Sequence, residues 1–172
     1  FNPLETLVWG FGGRYSADNI TSTPIIQFNP SSQSTTLLNA FAQLTSEVLD
    51  HRLLVTIGSK LEHTDYTGYE VQPTFRLLWR VNDQHKLWTA ISRAVRVPSR
   101  AEDSLTGTAA ITPGPLGFAG PPAELQYSAH GDLNAESVVT SEVGYRGNLA
   151  DNFTFDATAF HSDYRKLIGA VQ

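Results

Sequence analysis

The sequence predicts an all-β protein, an antiparallel meander of about seven long strands. Apolar and polar residues alternate with period two along most of the chain, which is the pattern of a strand with two unlike faces. The alternating runs extend over roughly 10 to 13 residues, well beyond the mode of about 5 to 6 in globular sheets. The connections between them alternate short and long.

The strands follow in order. Residues 4 to 15 set Leu7, Trp9, Phe11 and Tyr15 opposite Thr6, Gly10, Gly12 and Arg14. Segment 36 to 48 is apolar enough for a strand, with less regular alternation. Segment 51 to 63 sets Leu53, Val55, Ile57 and Leu61 against Thr56, Gly58, Lys60 and Glu62, and segment 69 to 81 sets Val71, Phe75, Leu77, Trp79 and Val81 against Thr74, Arg76 and Arg80, with Leu78 breaking parity. Segment 85 to 97 again suits a strand but alternates less cleanly. In 136 to 146, Val139, Val143 and Tyr145 oppose Thr140, Glu142, Gly144 and Arg146; in 152 to 164, Phe153, Phe155, Ala157 and Ala159 oppose Thr154, Asp156 and Thr158. No solenoid or propeller period appears, so the recurrence reads as a plain meander.

Strands of this length match what a tilted strand needs to cross a bilayer. Short connections are expected at 49 to 50, 82 to 84 and 147 to 151, and long ones at 16 to 35 and 98 to 134, with 64 to 68 a short exception on the long-loop side. Short turns on one rim and long loops on the other are the arrangement of outer-membrane barrels. The 98 to 134 segment holds Thr112-Pro113-Gly114-Pro115 and Gly120-Pro121-Pro122, which break a ladder, and it is expected to be an irregular excursion.

Composition narrows the function. Of 172 residues 41% are hydrophobic, enough for a folded domain, and only 17% are charged, below the roughly 25% of soluble domains. No apolar run approaches the roughly 18 residues of a membrane helix, and a mean hydropathy of -0.19 does not argue against a barrel, whose strands meet lipid with alternate residues only. A net charge of -5 gives no basic footprint for nucleic acid. Absence of cysteine removes disulfides and thiol chemistry. The chain lacks methionine and opens mid-pattern at Phe1-Asn2-Pro3, so it is expected to be an excerpt of a longer protein.

Several segments together resemble one family. Gly68-Tyr69-Glu70-Val71-Gln72-Pro73 is followed by Arg76-Leu77-Leu78-Trp79, then by His85-Lys86-Leu87-Trp88 and by Ser92-Arg93-Ala94-Val95-Arg96-Val97-Pro98-Ser99-Arg100. To these add Ala40-Phe41-Ala42-Gln43, Ser141-Glu142-Val143-Gly144-Tyr145-Arg146 and the run from Phe155 to Tyr164. Each is weak alone, but their order and spacing resemble the adjacent barrel strands of TonB-dependent outer-membrane receptors. The resemblance implies a segment of a barrel of about 22 strands with a plugged lumen, in the bacterial outer membrane, importing a scarce nutrient such as a ferric siderophore or a cobalamin-like molecule. It further implies outer-membrane lipid, the receptor's own plug domain, an inner-membrane TonB energy-coupling complex and a small-molecule ligand as partners, with no cofactor. The plug and the final barrel strands are not found in the chain, so an isolated segment is expected to be an open curved sheet.

Candidate site residues fall into two groups. Arg93, Arg96 and Arg100 lead into the 98 to 134 loop, and guanidinium forks suit bidentate capture of an anionic ligand; the plainer alternative is that they line a wet rim or pair with Glu102 and Asp103. Arg93 shares parity with Leu87, Ile91 and Val95, so either it lies near an interface or the facing assignment fails there. Lys60, Glu62, Arg76, Glu142 and Arg146 sit on polar strand faces and are expected to face the lumen. Five dispersed histidines show no metal-ligand spacing, and Glu62, Asp65 and Glu70 come without an acid/base pattern, so neither metal nor catalytic site is expected. Trp9, Trp79 and Trp88 with Tyr15, Tyr145 and Tyr164 suit interfacial girdles.

The rival reading is a soluble or secreted β-sheet ligand-binding module that buries Leu53, Val55 and Ile57 in a core. The two differ in which face is dry. A membrane strand turns its apolar residues outward, and a soluble sheet turns them inward.

Overall fold

A computed structural model of the chain describes residues 5–112, 123–129, 133–150 and 153–169. In chain order its elements are β1 (Glu5–Asn19), β2 (Ile26–Phe28), β3 (Ser32–Val48), β4 (Leu53–Thr64), β5 (Gly68–Arg80), β6 (His85–Arg96), α1 (Arg100–Ser104), β7 (Leu105–Thr112), β8 (Ala123–Ser128), β9 (Glu136–Ala150) and β10 (Phe153–Arg165). Seven strands form one antiparallel sheet in the order β1-β3-β4-β5-β6-β9-β10. These are the seven runs that the alternation marks. The sheet is open, with β1 and β10 at its edges.

Pairing sets every residue on one of two faces, because directly opposed residues point the same way. Leu44↔Ile57↔Phe75↔Ile91 form one apolar row, and Trp79↔Leu87↔Tyr145↔Ala157 another. On the opposite face Thr45↔Thr56↔Arg76↔Ala90↔Glu142 form a polar row. The apolar face is the exposed one: Phe11 is 82% exposed, Ile57 57% and Val143 55%. The buried side chains of the sheet's described strands, Thr56, Glu62, Thr64 and Ala90, all lie on the polar face. Side chains converge on the concave side of a curved sheet and splay on the convex side, so the polar face is the inner one. This burial is the reverse of a soluble sheet, and among the described residues Leu53, Val55 and Ile57 are not buried in a core.

Aromatic residues mark both ends of the apolar face. Trp79 and Tyr145 lie towards the short turns, Tyr15 and Tyr69 towards the long loops. Along β5 about ten residue steps separate Tyr69 from Trp79, roughly 33 Å of strand, or roughly 25 Å of height at a barrel tilt near 40°. That equals the apolar band of a transmembrane barrel. Trp88 and Tyr164 depart from the girdle expectation, since pairing puts both on the polar face: Trp88 opposes Leu78 and Gly144, and Tyr164 opposes Val138. Leu78, the parity breaker in β5, is thereby explained as the neighbour of the Trp88 indole.

The connections also sort by rim. The turn after β3 is tight, with Leu49, Asp50 and His51 all left-handed at φ 55°, 50° and 64°. Left-handed L-residues carry a cost, and Glu47 holds the turn in place: its carboxylate meets His51 Nδ1 at 2.5 Å and the Arg80 guanidinium at 3.2 Å. The turn between β4 and β5 is short as expected, closing on Gly68 at φ 71°. The 147 to 151 connection differs from expectation, because β9 runs on through Gly147 to Ala150.

The 98 to 134 segment differs most. Instead of an irregular excursion it carries α1, β7 and β8, and β7 pairs on one side with β8 and on the other with β2 from the 16 to 35 loop. Ser99 and Glu102 form a capping box that starts the helix. The Pro/Gly motifs at 113–115 and 120–122 lie outside the described residues. The three-stranded sheet thus joins two long loops that rise from β1/β3 and β6/β9, about three strand spacings or roughly 14 Å apart.

Glycines facing aromatic rings tighten the polar face. A Cβ on Gly10 would come within 2.7 Å of the Phe41 ring, and one on Gly144 would overlap the Trp88 indole, the arrangement in which an aromatic covers a cross-strand glycine. Gly144→Val is expected to lower barrel stability by about 1–3 kcal/mol through overpacking, read as a lower urea midpoint. The same change in a Trp88→Ala background should cost markedly less.

Candidate functional site

Two regions gather the polar side chains, the inner face of the sheet and the long-loop rim. On the inner face Lys60, Glu62, Arg76, Glu142 and Arg146 share one side, as the alternation requires. Lys60 Nζ donates to Glu62 on its own strand. Glu62, 8% exposed in its side chain, stands directly opposite Glu70 on β5. Two facing carboxylates repel, and each is matched by a cation: Glu62 by Lys60, and Glu70 by Arg93 at 2.9 Å.

Arg93 resolves the parity conflict of the sequence. The β5–β6 ladder stops at Thr74↔Ser92, one residue short of Pro73, which has no N–H to offer. Where the strands part, the Arg93 side chain reaches into the gap and donates to the Val71 carbonyl at 2.5 Å as well as to Glu70. A residue of apolar parity therefore serves the polar side.

Nearer the middle of the inner face, Arg76 and Glu142 flank the small Ala90 in one row. With Leu54, Thr56 and Trp88 they border a hollow of about 480 Å³. Towards the short turns Arg80, Lys86 and Arg146 stand side by side across three strands. Glu47 neutralises Arg80 at 3.2 Å, and Asp156 neutralises Arg146 at 2.5 Å.

At the long-loop rim the three arginines do not converge on a shared space. Arg93 is held by Glu70. Arg96 is forked onto Glu102 at 2.8 and 3.0 Å and donates from Nε to Glu136 at 2.5 Å. Arg100 donates to Asp18 at 3.2 Å, to Ser104 at 2.7 Å, to the Pro30 carbonyl at 2.5 Å and to Gln33. Arg96 keeps half its side chain exposed, whereas Arg100 is 16% exposed. Of the two acids suggested by the sequence, Glu102 pairs with Arg96; Asp103 accepts from Ser104 Oγ at 2.6 Å. Asp18, Gln33 and Glu136 escaped sequence reasoning because nothing local marks them: Asp18 lies 82 positions from Arg100.

The Arg96 guanidinium beside Glu102, with the Ser99 backbone N–H, holds that carboxyl down to about 2 from an ordinary 4.5. A depressed carboxyl stabilises the fold above its ordinary value, and the contribution disappears as pH falls through about 2. Pepsin cleavage within 99–105 should therefore rise as pH drops from 4.5 towards 2. Normalised at each pH to pepsin cleavage of an unfolded peptide of the same sequence, cleavage in Glu102→Gln should be high across that window and lose the pH dependence seen in the parent.

Comparison with known proteins matches this geometry. A family model described as TonB dependent receptor-like, beta-barrel, matches residues 2–172. No curated protein matches the sequence. Among solved structures, the siderophore receptor PirA from Acinetobacter baumannii is 17% identical with a TM-score of 0.73, over 93% of this chain and 24% of that one. The ferric enterobactin receptor PfeA from Pseudomonas aeruginosa, in a mutant form complexed with enterobactin, is 21% identical with a TM-score of 0.73, over 93% and 24%. PirA from Pseudomonas aeruginosa is 17% identical with a TM-score of 0.71, over 95% and 29%. The chain spans about a quarter of the length of these receptors, and at such identities the likeness is one of fold. The family model covers nearly every residue, and the open seven-stranded sheet with its apolar face outward has the form of a barrel segment, so this chain belongs to the TonB-dependent receptor β-barrel family.

Proposed function

We propose that this chain is a wall and rim segment of a bacterial outer-membrane receptor that imports a ferric siderophore. The observation that carries the reading is the inverted burial: large apolar side chains cover the convex face while Thr56, Glu62 and Thr64 are buried on the concave one. Lipid is the solvent that such a convex face fits. The charged residues with that face's parity, Glu5, Arg93, Asp163 and Arg165, all lie within four residues of a strand end, and Arg93 turns away to Glu70, so an uncharged band remains between the rims.

In this reading the concave face is lumen wall, and Lys60, Glu62, Arg76, Glu142 and Arg146 meet the plug domain by hydrogen bonds and ion pairs. Arg76 and Glu142 suit that role through the hollow between them. Energy for import comes from an inner-membrane TonB complex acting on the plug. At the rim, Arg96 is the arginine whose exposure suits contact with an anionic ferric chelate, while Arg93 and Arg100 hold strands and loops in place. A cobalamin-like ligand is the second candidate class; the siderophore is preferred because the similar structures are siderophore receptors.

Two outcomes test this. Val143→Arg puts a charge at the convex face, at a cost of roughly 2–4 kcal/mol near midplane; outer-membrane fractions of cells carrying the complete receptor should lose the protein, whereas Ser141→Thr on the same face should leave it. Deletion of the complete receptor should abolish uptake of radioactive ferric siderophore by iron-starved cells, and unchanged uptake of every chelate tested would refute the import reading.

A further inference from the structure

The two long loops are built together. Residues 20–31 and 98–112 arise from hairpins with two strands of the main sheet, β4 and β5, between them, yet β2 and β7 pair through Ile26↔Gly107, Gln27↔Thr106 and Phe28↔Leu105. The ladder continues at both ends, with Asn29 N–H donating to Ser104 O at 3.0 Å and Thr108 N–H to Ile25 O at 2.9 Å. Arg100 then crosses from the second loop to the neck of the first. It bonds Asp18, the penultimate residue of β1, and Gln33 at the start of β3, together with the Pro30 carbonyl between them, and its guanidinium lies 5.4 Å from the Phe28 ring centre. Ser104 takes a further bond from within the helix. Four such bonds use most of the five N–H donors that a guanidinium has, so the side chain is committed to structure.

We propose that residues 20–31 and 98–112 form one clasped body with Arg100 as its bolt, so that displacement of either loop carries the other. The proposal goes beyond the import reading and does not depend on which ligand, if any, is transported. Two loops anchored only on their own strands would respond to perturbation separately. A shared ladder plus one cation holding both edges of the other loop's neck makes opening a joint event, because freeing either segment breaks the same bonds.

Hydrogen exchange on the complete receptor, purified from the outer membrane, tests this without ligand. Arg100→Gln should raise exchange by roughly tenfold or more in both 20–31 and 100–112. Asp18→Asn, a milder change in the other strand, should raise exchange in 100–112 although the substitution lies outside that loop. Joining the loops by an Ile26→Cys/Gly107→Cys pair should restore protection to both segments of the Arg100→Gln receptor when oxidised, and reduction should remove it. An Arg100→Gln receptor that loosens 100–112 while 20–31 keeps its wild-type rate overturns the clasp. So does an Asp18→Asn receptor whose exchange in 100–112 is unchanged, which keeps the test decisive if Arg100→Gln fails to assemble. Loss of siderophore uptake leaves the clasp untouched, and its retention does not support it, so the two readings fail separately.

Discussion

A backbone that crosses an apolar medium has to satisfy its N–H and C=O groups internally, and the antiparallel ladder is how this chain does so. The strands are long because the ladder has to persist across the whole apolar band, and they alternate because the sheet carries one apolar and one polar face. Once that alternation is set, register follows: a slip by one residue would turn Ile57 and Val143 onto the polar face and Glu62 and Glu142 onto the exposed apolar one. Turn chemistry, aromatic belts and charge placement are all subordinate to keeping these faces apart.

The inner face shows how charge is managed when it is crowded. Glu62 against Glu70, and Lys86 between Arg80 and Arg146, put like charges on neighbouring strands. Counter-charges nearby offset most of this, with Lys60 and Arg93 on the acidic pair and Glu47 and Asp156 on the two arginines. Arg93 achieves its pairing only because Pro73 ends the β5–β6 ladder and opens a gap through which the side chain passes. A backbone feature thereby decides an electrostatic one.

What the sequence reveals depends on the range of the physics involved. The seven long strands are legible because period-two alternation is local and repeated over many residues. So are the faces of Lys60, Glu62, Arg76, Glu142 and Arg146, which parity alone assigns. β2 is not legible, since the three residues Ile26–Phe28 cannot display a period, and β7 is built largely of threonine and alanine with little contrast between faces. Trp88 misleads because its chemistry suits a membrane interface, while its parity places it over Gly144. The rim arginines fare similarly: their carboxylate partners Asp18, Glu70 and Glu136 are distant in sequence and become neighbours only through folding.

The alternation of connections between two rims limits how such a sheet can change in length. Consecutive strands run in opposite directions, so each connection lies on the rim opposite to the one before it. Gain or loss of a single strand would send every later long loop, including the one that carries α1 and β7, to the opposite rim of the sheet. The partnership between β2 and β7 would be severed outright. Growth and trimming of this wall are therefore confined to pairs of strands, and the hairpin becomes the smallest heritable unit of the architecture.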